Sequence, residues 1–366
     1  MNIPSVYRKA VDGFVIPPRS FFQMIVSASK GALSLFQESN RGEFMDTLDR
    51  GTINESVISQ ATAGPAMMLS LFHDLRNPLF RKHGFDANQF LDGVGPALTS
   101  FHNISGALEN KLRSSSSTAS KVDNESEETS SLSKEEKEAI LSTIKMLQQQ
   151  QNSSIENSVE QASALLNHDW MDDAKSDPES LEGQLSRMLT AELFDIHQLS
   201  AKTAFLLQPS TSPSRAMMKF QEGSCRVNNV ALLSARAFFC VEKAREGNNE
   251  TFNDATRISN SDRYQIVDDV LDHDAEIMKE EEEKKMFGVA AQMEVLYDVT
   301  QNFIIDTEES SDSDKSVEGE KEELETTVVS VATLEGWLHG GPEGELRWRL
   351  ALHRPAFEFP GIEQTY

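Results

Sequence analysis

Residues 346–353 alternate without a break. Leu346, Trp348, Leu350 and Leu352 fall on one side of an extended chain, and Arg347, Arg349, Ala351 and His353 on the other. A period of two marks a half-buried strand whose apolar face must be covered. Residues 326–339 are also rich in β-branched and apolar side chains, and Gly340-Gly341-Pro342-Glu343-Gly344 follows them. Those glycines supply the backbone freedom of a hairpin connection. The chain is therefore predicted to end in an antiparallel hairpin. Its apolar face has to be packed by something earlier in the sequence.

Two further strands are expected upstream, over 224–241 and 286–305. In the second, Phe287, Val289, Ala291, Met293, Val295 and Tyr297 alternate with Gly288, Ala290, Gln292, Glu294, Leu296 and Asp298. Ahead of the strands the spacing is helical. Residues 54–82 hold apolar residues three and four apart, punctuated by Pro65 and Pro78. Residues 85–112 form a cleaner helix, with Asp86 as N-cap and Phe90, Leu91, Val94, Leu98, Phe101 and Ile104 behind it. Gly93, Gly95 and Pro96 predict a kink or close packing there. Ser176-Asp177-Pro178-Glu179 reads as a helix start with proline in the first turn. Leu181, Leu185, Met188, Leu189, Leu193 and Phe194 supply the apolar face of that helix. A further helix is expected over 264–278. Helices first and a meander of strands last is an α+β order, with helices on one face of an antiparallel sheet of about four strands.

Two stretches interrupt this body. Residues 113–160 are rich in Ser and Glu, with a solvated helix expected at 134–151, and residues 306–325 carry ten acids against two lysines. Both are predicted to be inserts of low complexity, disordered outside that helix. The chain of 366 residues thus divides into an N-terminal helical region, 1–83, and an interrupted α+β domain, 84–360. The net charge is −25, and the body outside the two inserts stays acidic. Direct nucleic-acid binding, which needs Lys and Arg against phosphate, is not expected. A basic protein partner is compatible with that charge.

Motifs for chemistry are absent. There is no dinucleotide or phosphate glycine loop, no nucleophile elbow, and no His-Glu-x-x-His or Cys-x-x-Cys pair. Cys225 and Cys240 read as buried thiols. Asp268, Asp269, Asp272, His273 and Asp274 read as a solvated face rather than a metal site. His339 and His353 flank the terminal hairpin and read as rim residues. Arg349, on the outward face, is expected to pair with local acids. No catalytic residue, metal or cofactor is expected.

No run of eighteen apolar residues occurs, so no membrane-spanning helix is expected. Residues 21–36 have an amphipathic spacing instead. The first thirty-five residues carry Arg8, Lys9, Arg19 and Lys30 against Asp12 alone, a composition mildly like an organelle transit sequence.

The order of elements resembles the Tim-forty-four-like family. Phe85-Asp86, Phe90-Leu91, Gly93 and Ala97 are similar to its opening helix. Asp177-Pro178-Glu179-Ser180-Leu181 through Leu185 to Thr190 is similar to its helix pair. Residues 289–299 stand where its central strand falls, and Leu346-Arg347-Trp348-Arg349-Leu350 is similar to its closing strand. The resemblance covers about residues 84–360. It implies a cone-like fold of the nuclear-transport-factor-two type, with helices and a curved sheet enclosing an apolar pocket. It also implies a non-catalytic adaptor on the matrix side of the mitochondrial inner membrane, in protein import or mitoribosome anchoring. The partner would be a chaperone, a translocase or a ribosome, with an anionic membrane surface beside it.

On this reading Met293, Val295, Val331, Thr333, Trp348 and Leu350 line the pocket. Phe21, Phe22, Ile25, Lys30, Leu33 and Phe36 meet the membrane. Residues 85–104 are a second candidate for lipid, with core packing as their plainer role. Two alternatives accompany the adaptor: a small-molecule-binding protein or enzyme on the same cone, and a soluble scaffold whose inserts are phosphorylated.

Overall fold

The computed structural model describes residues 20–58, 64–115, 169–206, 217–242, 264–267, 287–306, 321–339 and 348–356. Its helices are α1 (Phe21–Ser34), α2 (Glu38–Asp49), α3 (Glu55–Ile58), α4 (Gly64–Leu75), α5 (Pro78–Lys82), α6 (Ala87–Ser115), α7 (Trp170–Ser176), α8 (Leu181–Met188) and α9 (Ala191–Leu206). Its strands are β1 (Met217–Phe220), β2 (Arg226–Glu242), β3 (Tyr264–Val267), β4 (Phe287–Asp306), β5 (Lys321–His339) and β6 (Trp348–Pro355). The fold is α+β, as the sequence predicts.

The six described strands pair antiparallel, in the order β3-β2-β4-β5-β6, with β1 added to the far end of β4. At the usual rise per residue, a strand the length of β4 spans roughly 65 Å. A sheet that long cannot stay flat and curls with its own twist. Register shifts bend it further. In β2 they fall between Asn228 and Ala231 and between Leu232 and Ser234. Asn229 takes φ 51 there, and its amide donates to Asp298 at 2.6 Å.

Along β4 the phase holds: Val289, Ala291, Met293, Val295, Tyr297 and Val299 are all buried in the main core. Across this concave side lies α6. Its start is fixed by Asp86, whose Oδ1 accepts from the N–H groups of Asn88 (2.8 Å) and Gln89 (3.1 Å). Phe90, Val94, Leu98, Phe101, Leu108 and Leu112 then follow at helical spacing, all buried. The helix continues through Pro96, and its tightest approach to the sheet comes ten residues later. A Cβ at Gly106 would enter the ring of Phe220 on β1. Beside it Asn110 clamps the β1 backbone, accepting from the Phe220 N–H at 3.1 Å and donating to the Phe220 carbonyl at 2.7 Å.

Several expectations are corrected. Tyr264–Val267 is a strand on the edge of β2, not the start of a helix. The start of α8 is set by Ser180, whose hydroxyl accepts from Gly183 N–H at 3.0 Å, rather than by the residues before it. The expected single helix there is two, because Leu189 bridges to Leu350 and Thr190 N–H donates to the Leu350 carbonyl at 2.9 Å. The helices before residue 84 share the core of the sheet, through Ile53, Ile58, Met67, Leu71, Phe72, Leu79 and Phe80. The strand expected from 326 begins at Lys321, inside the acidic stretch 306–325. Most of the two inserts, the helix at 134–151, the turn at 340–344 and the first nineteen residues lie outside the described residues.

In α1 the buried residues are Ser27, Ala28 and Gly31. A Cβ at Gly31 would strike the backbone carbonyl of Leu69 on α4. Ser27 adds a hydrogen bond to Asp74 Oδ1 at 2.6 Å. Gly31→Ala is therefore expected to push α1 off α4 and cost about 1–3 kcal/mol. A thermal melt should show a drop of several degrees, whereas Ser29→Ala, on the exposed side of the same helix, should leave the midpoint unchanged.

Candidate functional site

An ordinary surface helix buries its large apolar residues and exposes its polar ones. α1 does the reverse. At 100° per residue, Phe21, Ala32, Ile25, Ser29, Phe22, Leu33 and Val26 fall within one continuous arc, and Phe36 just beyond the helix continues it. Every one of them is exposed, Phe22 at 75%, Leu33 at 65% and Phe36 at 80%. The opposite arc holds Met24, Ser27, Ala28 and Gly31, which meet α4. The inversion has a local cause: the only side of α1 thin enough to approach the α4 backbone is its small-residue side.

The apolar arc carries no acid, and exposed Lys30 lies at its margin. The helix itself is well formed. Ser20 and Gln23 make a capping box, each side chain serving the other's backbone N–H. All six residues expected to meet a membrane, Phe21, Phe22, Ile25, Lys30, Leu33 and Phe36, are thus exposed on this element. The second lipid candidate, residues 85–104, is core instead: Phe90, Val94, Leu98 and Phe101 are buried against the sheet.

The interior of the curve divides the expected pocket residues. Met293, Val295, Trp348 and Leu350 share the concave side. Leu350 pairs with Leu334, which pairs with Met293, and Trp348 packs against Phe90 with ring centroids 4.7 Å apart. Val331, although buried in the main core, and Thr333 differ from them in phase. They lie opposite Leu296 and Glu294 in the register, in the other phase of β4, and face the convex side.

The phase of β6 also differs from the sequence expectation. Leu350 pairs with Leu334 and Leu352 with Thr333, so Ala351 is an extra residue, a bulge. The bulge turns the rest of the strand over. Leu352 now faces outward with Ala351 in a small separate cluster, and His353 turns inward opposite Ala332. His353 is therefore an interior residue rather than a rim residue. His339 goes elsewhere, stacking on His83 with centroids 4.9 Å apart.

Around His353 the concave side is polar as well as greasy. His102 on α6 makes a 2.8 Å hydrogen bond between Nε2 and the hydroxyl of Tyr297 on β4. The His353 ring lies 5.1 Å from His102, 5.6 Å from Phe101 and 6.3 Å from Tyr297. His197 on α9 packs on Phe101 at 5.7 Å and on Trp170 at 6.3 Å. The Nε2 atoms of His197 and His353 and the hydroxyl of Ser105 are buried and, among the described residues, have no hydrogen-bond partner.

Burial sets the charge state of this group. Desolvation first, then the neighbouring imidazoles His353 and His197, lower His102 to about 3. Burial lowers His197 to about 4, and burial together with His197 lowers His353 to about 4. Burial and then the Cys225 thiol raise Tyr297, and burial raises Cys225 to about 11. All are uncharged at neutral pH. The sequence hid this cluster because its members lie on four elements, α6, α9, β4 and β6, and one of them depends on a bulge. One local sign existed: Tyr297 falls in the inward phase of β4.

On the convex side a polar row crosses four strands. Arg236 bonds Gln292, Gln292 donates to Glu335 Oε1 at 3.0 Å, and Arg349 stands opposite Glu335. Arg347, the acidic cluster at 268–274 and the side chain of Cys240 lie outside the described residues. Among the described residues, no group of three His, Cys, Asp or Glu could hold a metal ion, and no helix is long and apolar enough to cross a membrane. Compared with protein-family models, with curated proteins and with solved structures, the chain finds no match in any of the three.

The interior histidines make stability depend on pH. Above pH 6.5 the folded and unfolded chains both leave them neutral. Below it the unfolded chain binds protons that the folded chain refuses, so stability falls as pH drops toward 4. The slope is on the order of 1.4 kcal/mol per pH unit for each histidine. Urea unfolding between pH 7 and pH 5 should show this loss, and His102→Gln should make the slope shallower.

Proposed function

We propose that this chain is a non-catalytic adaptor that rests on an anionic membrane surface through α1 and holds a protein partner with its α+β body. The observation that carries the reading is the outward arc of Phe21, Phe22, Ile25, Leu33 and Phe36. Interfacial binding needs a helix lying flat, with large apolar side chains on one face and cations at its border. α1 supplies the face and Lys30 the border, while Arg19, Arg8 and Lys9 precede it in sequence. Anionic headgroups are the matching charge. The segment is one of the few basic stretches of a chain of net charge −25, so attraction to such a surface is local.

A bilayer is favoured over a protein groove by the shape of the face. It is convex, three of its side chains are phenylalanine, and nothing on it reads as a specific polar contact. The resemblance to the Tim-forty-four-like family supports a setting on the matrix side of the mitochondrial inner membrane, in import or mitoribosome anchoring. The acidic body supports a basic protein partner over RNA.

The interior groups support an adaptor over an enzyme on the same cone. A general acid or base works best with a pKa near the operating pH. Here burial holds His102 near 3 and His197 and His353 near 4, and raises Tyr297. That chemistry suits a packed polar core better than proton transfer at neutrality.

Flotation with cardiolipin-containing vesicles tests the reading. The protein should float, and a Phe22→Glu/Leu33→Glu variant should lose binding by at least about tenfold while keeping its thermal midpoint, since both positions are exposed. A wild-type protein that stays at the bottom of the gradient would remove the membrane from the account.

A further inference from the structure

β5 is unevenly partnered. β4 pairs along it from Lys321 to His339, skipping only Leu338, whereas β6 pairs only with Ser330 to Gly336. Residues 321–329 therefore have β4 on one side and, among the described residues, no strand on the other. This open edge is roughly 30 Å long. Backbone N–H and C=O groups along such an edge are a template for another strand, and folds usually shorten, bulge or cover it. Among the described residues the edge is neither bulged nor covered: the register with β4 is unbroken from Ala290 to Asp306.

The side chains define what could pair there. Leu324 and Val328 lie in the concave phase, opposite Phe303 and Val299, and are 39% and 42% exposed. Glu323, Glu325 and Val329 lie in the convex phase, opposite Ile304, Asn302 and Asp298, and are exposed. The edge thus offers Leu324 and Val328 on one face, and the acids Glu323 and Glu325 with Val329 beyond them on the other. It also disfavours its own copy, because antiparallel self-pairing would set glutamate against glutamate.

We infer that the open edge of residues 321–329 is a docking site for an extended segment of a partner protein in which Lys or Arg alternates with apolar residues. The added strand takes its affinity from main-chain hydrogen bonds. It takes its selectivity from cations beside Glu323 and Glu325 and apolar side chains beside Leu324 and Val328. This rests on the adaptor reading for its purpose, since it names the chemistry of the partner, but not for its geometry.

A fluorescein-labelled nonapeptide of alternating lysine and valine is the probe. Its binding is followed by anisotropy, and the amides of residues 321–329 by hydrogen exchange. The peptide should bind and slow exchange across those residues. Glu323→Lys/Glu325→Lys should weaken binding about five- to tenfold. Glu38→Lys/Asp46→Lys on α2, the same change of net charge at exposed positions, should not. Phe22→Glu/Leu33→Glu should leave peptide binding intact, so failure on vesicles and failure on peptide are separable.

The inference is overturned by no binding, by binding without protection of 321–329, or by equal loss in both charge variants. It is also overturned if those amides are already protected without peptide, which means the chain covers its own edge. Sedimentation showing a dimer that Glu323→Lys/Glu325→Lys alters would assign the edge to a second copy, and would equally overturn it.

Discussion

The long pairing of β4, in register with β5 from Ala290 to Asp306, is the constraint on which the rest depends. It holds β2 and β1 on one side and β5 on the other, and its length forces the sheet to curl. Curling creates a concave side that one long helix, α6, can fill. The contact points then follow in order along that helix: Phe90 on Trp348, His102 on Tyr297, Gly106 and Asn110 on Phe220. Because three of these reach different strands, a shift of β4 by one residue would move its whole inward set to the outside.

Two features at opposite ends of this frame carry the functional argument. At the N-terminal end, α4 presents a backbone surface that only the Ser27, Ala28 and Gly31 side of α1 can approach. Packing therefore spends the small residues and leaves the large ones outside. At the other end, β6 pairs with β5 only from Ser330 to Gly336, so among the described residues an edge of acids and apolar residues has no second strand beside it. The surface proposed for lipid and the edge proposed for a basic strand thus both lie where packing of the described residues ends. The polar interior between them is buried and uncharged at neutral pH, and it contributes a cost to stability at low pH.

Much of the sheet was legible because its signal is local. Alternation in residues 289–299 marks the strand, and Val289, Ala291, Met293, Val295, Tyr297 and Val299, one phase of it, all lie in the main core. The spacing of Phe21, Phe22, Ile25, Leu33 and Phe36 is equally local. What spacing could not show is which side of α1 faces the protein, since that depends on the carbonyl of Leu69. Long-range facts were lost. The bulge at Ala351 reversed the faces of Leu352 and His353, and no property of those residues announces it. Val331 and Thr333 fell on the other face because register across two strands is a matter of pairing. Tyr264–Val267 became a strand because the edge of β2 was free to take it, against its helical surroundings in sequence.

The central claim is that the apolar arc of α1 enters the bilayer, and the depth of a side chain on that arc tests it most directly. Phe22→Trp places an indole at a position that is exposed in water. With vesicles of cardiolipin and a lipid brominated in its acyl chains, its added fluorescence should shift to the blue and be quenched. A protein that sediments with those vesicles while the added indole stays unshifted and unquenched would show that binding uses some other surface.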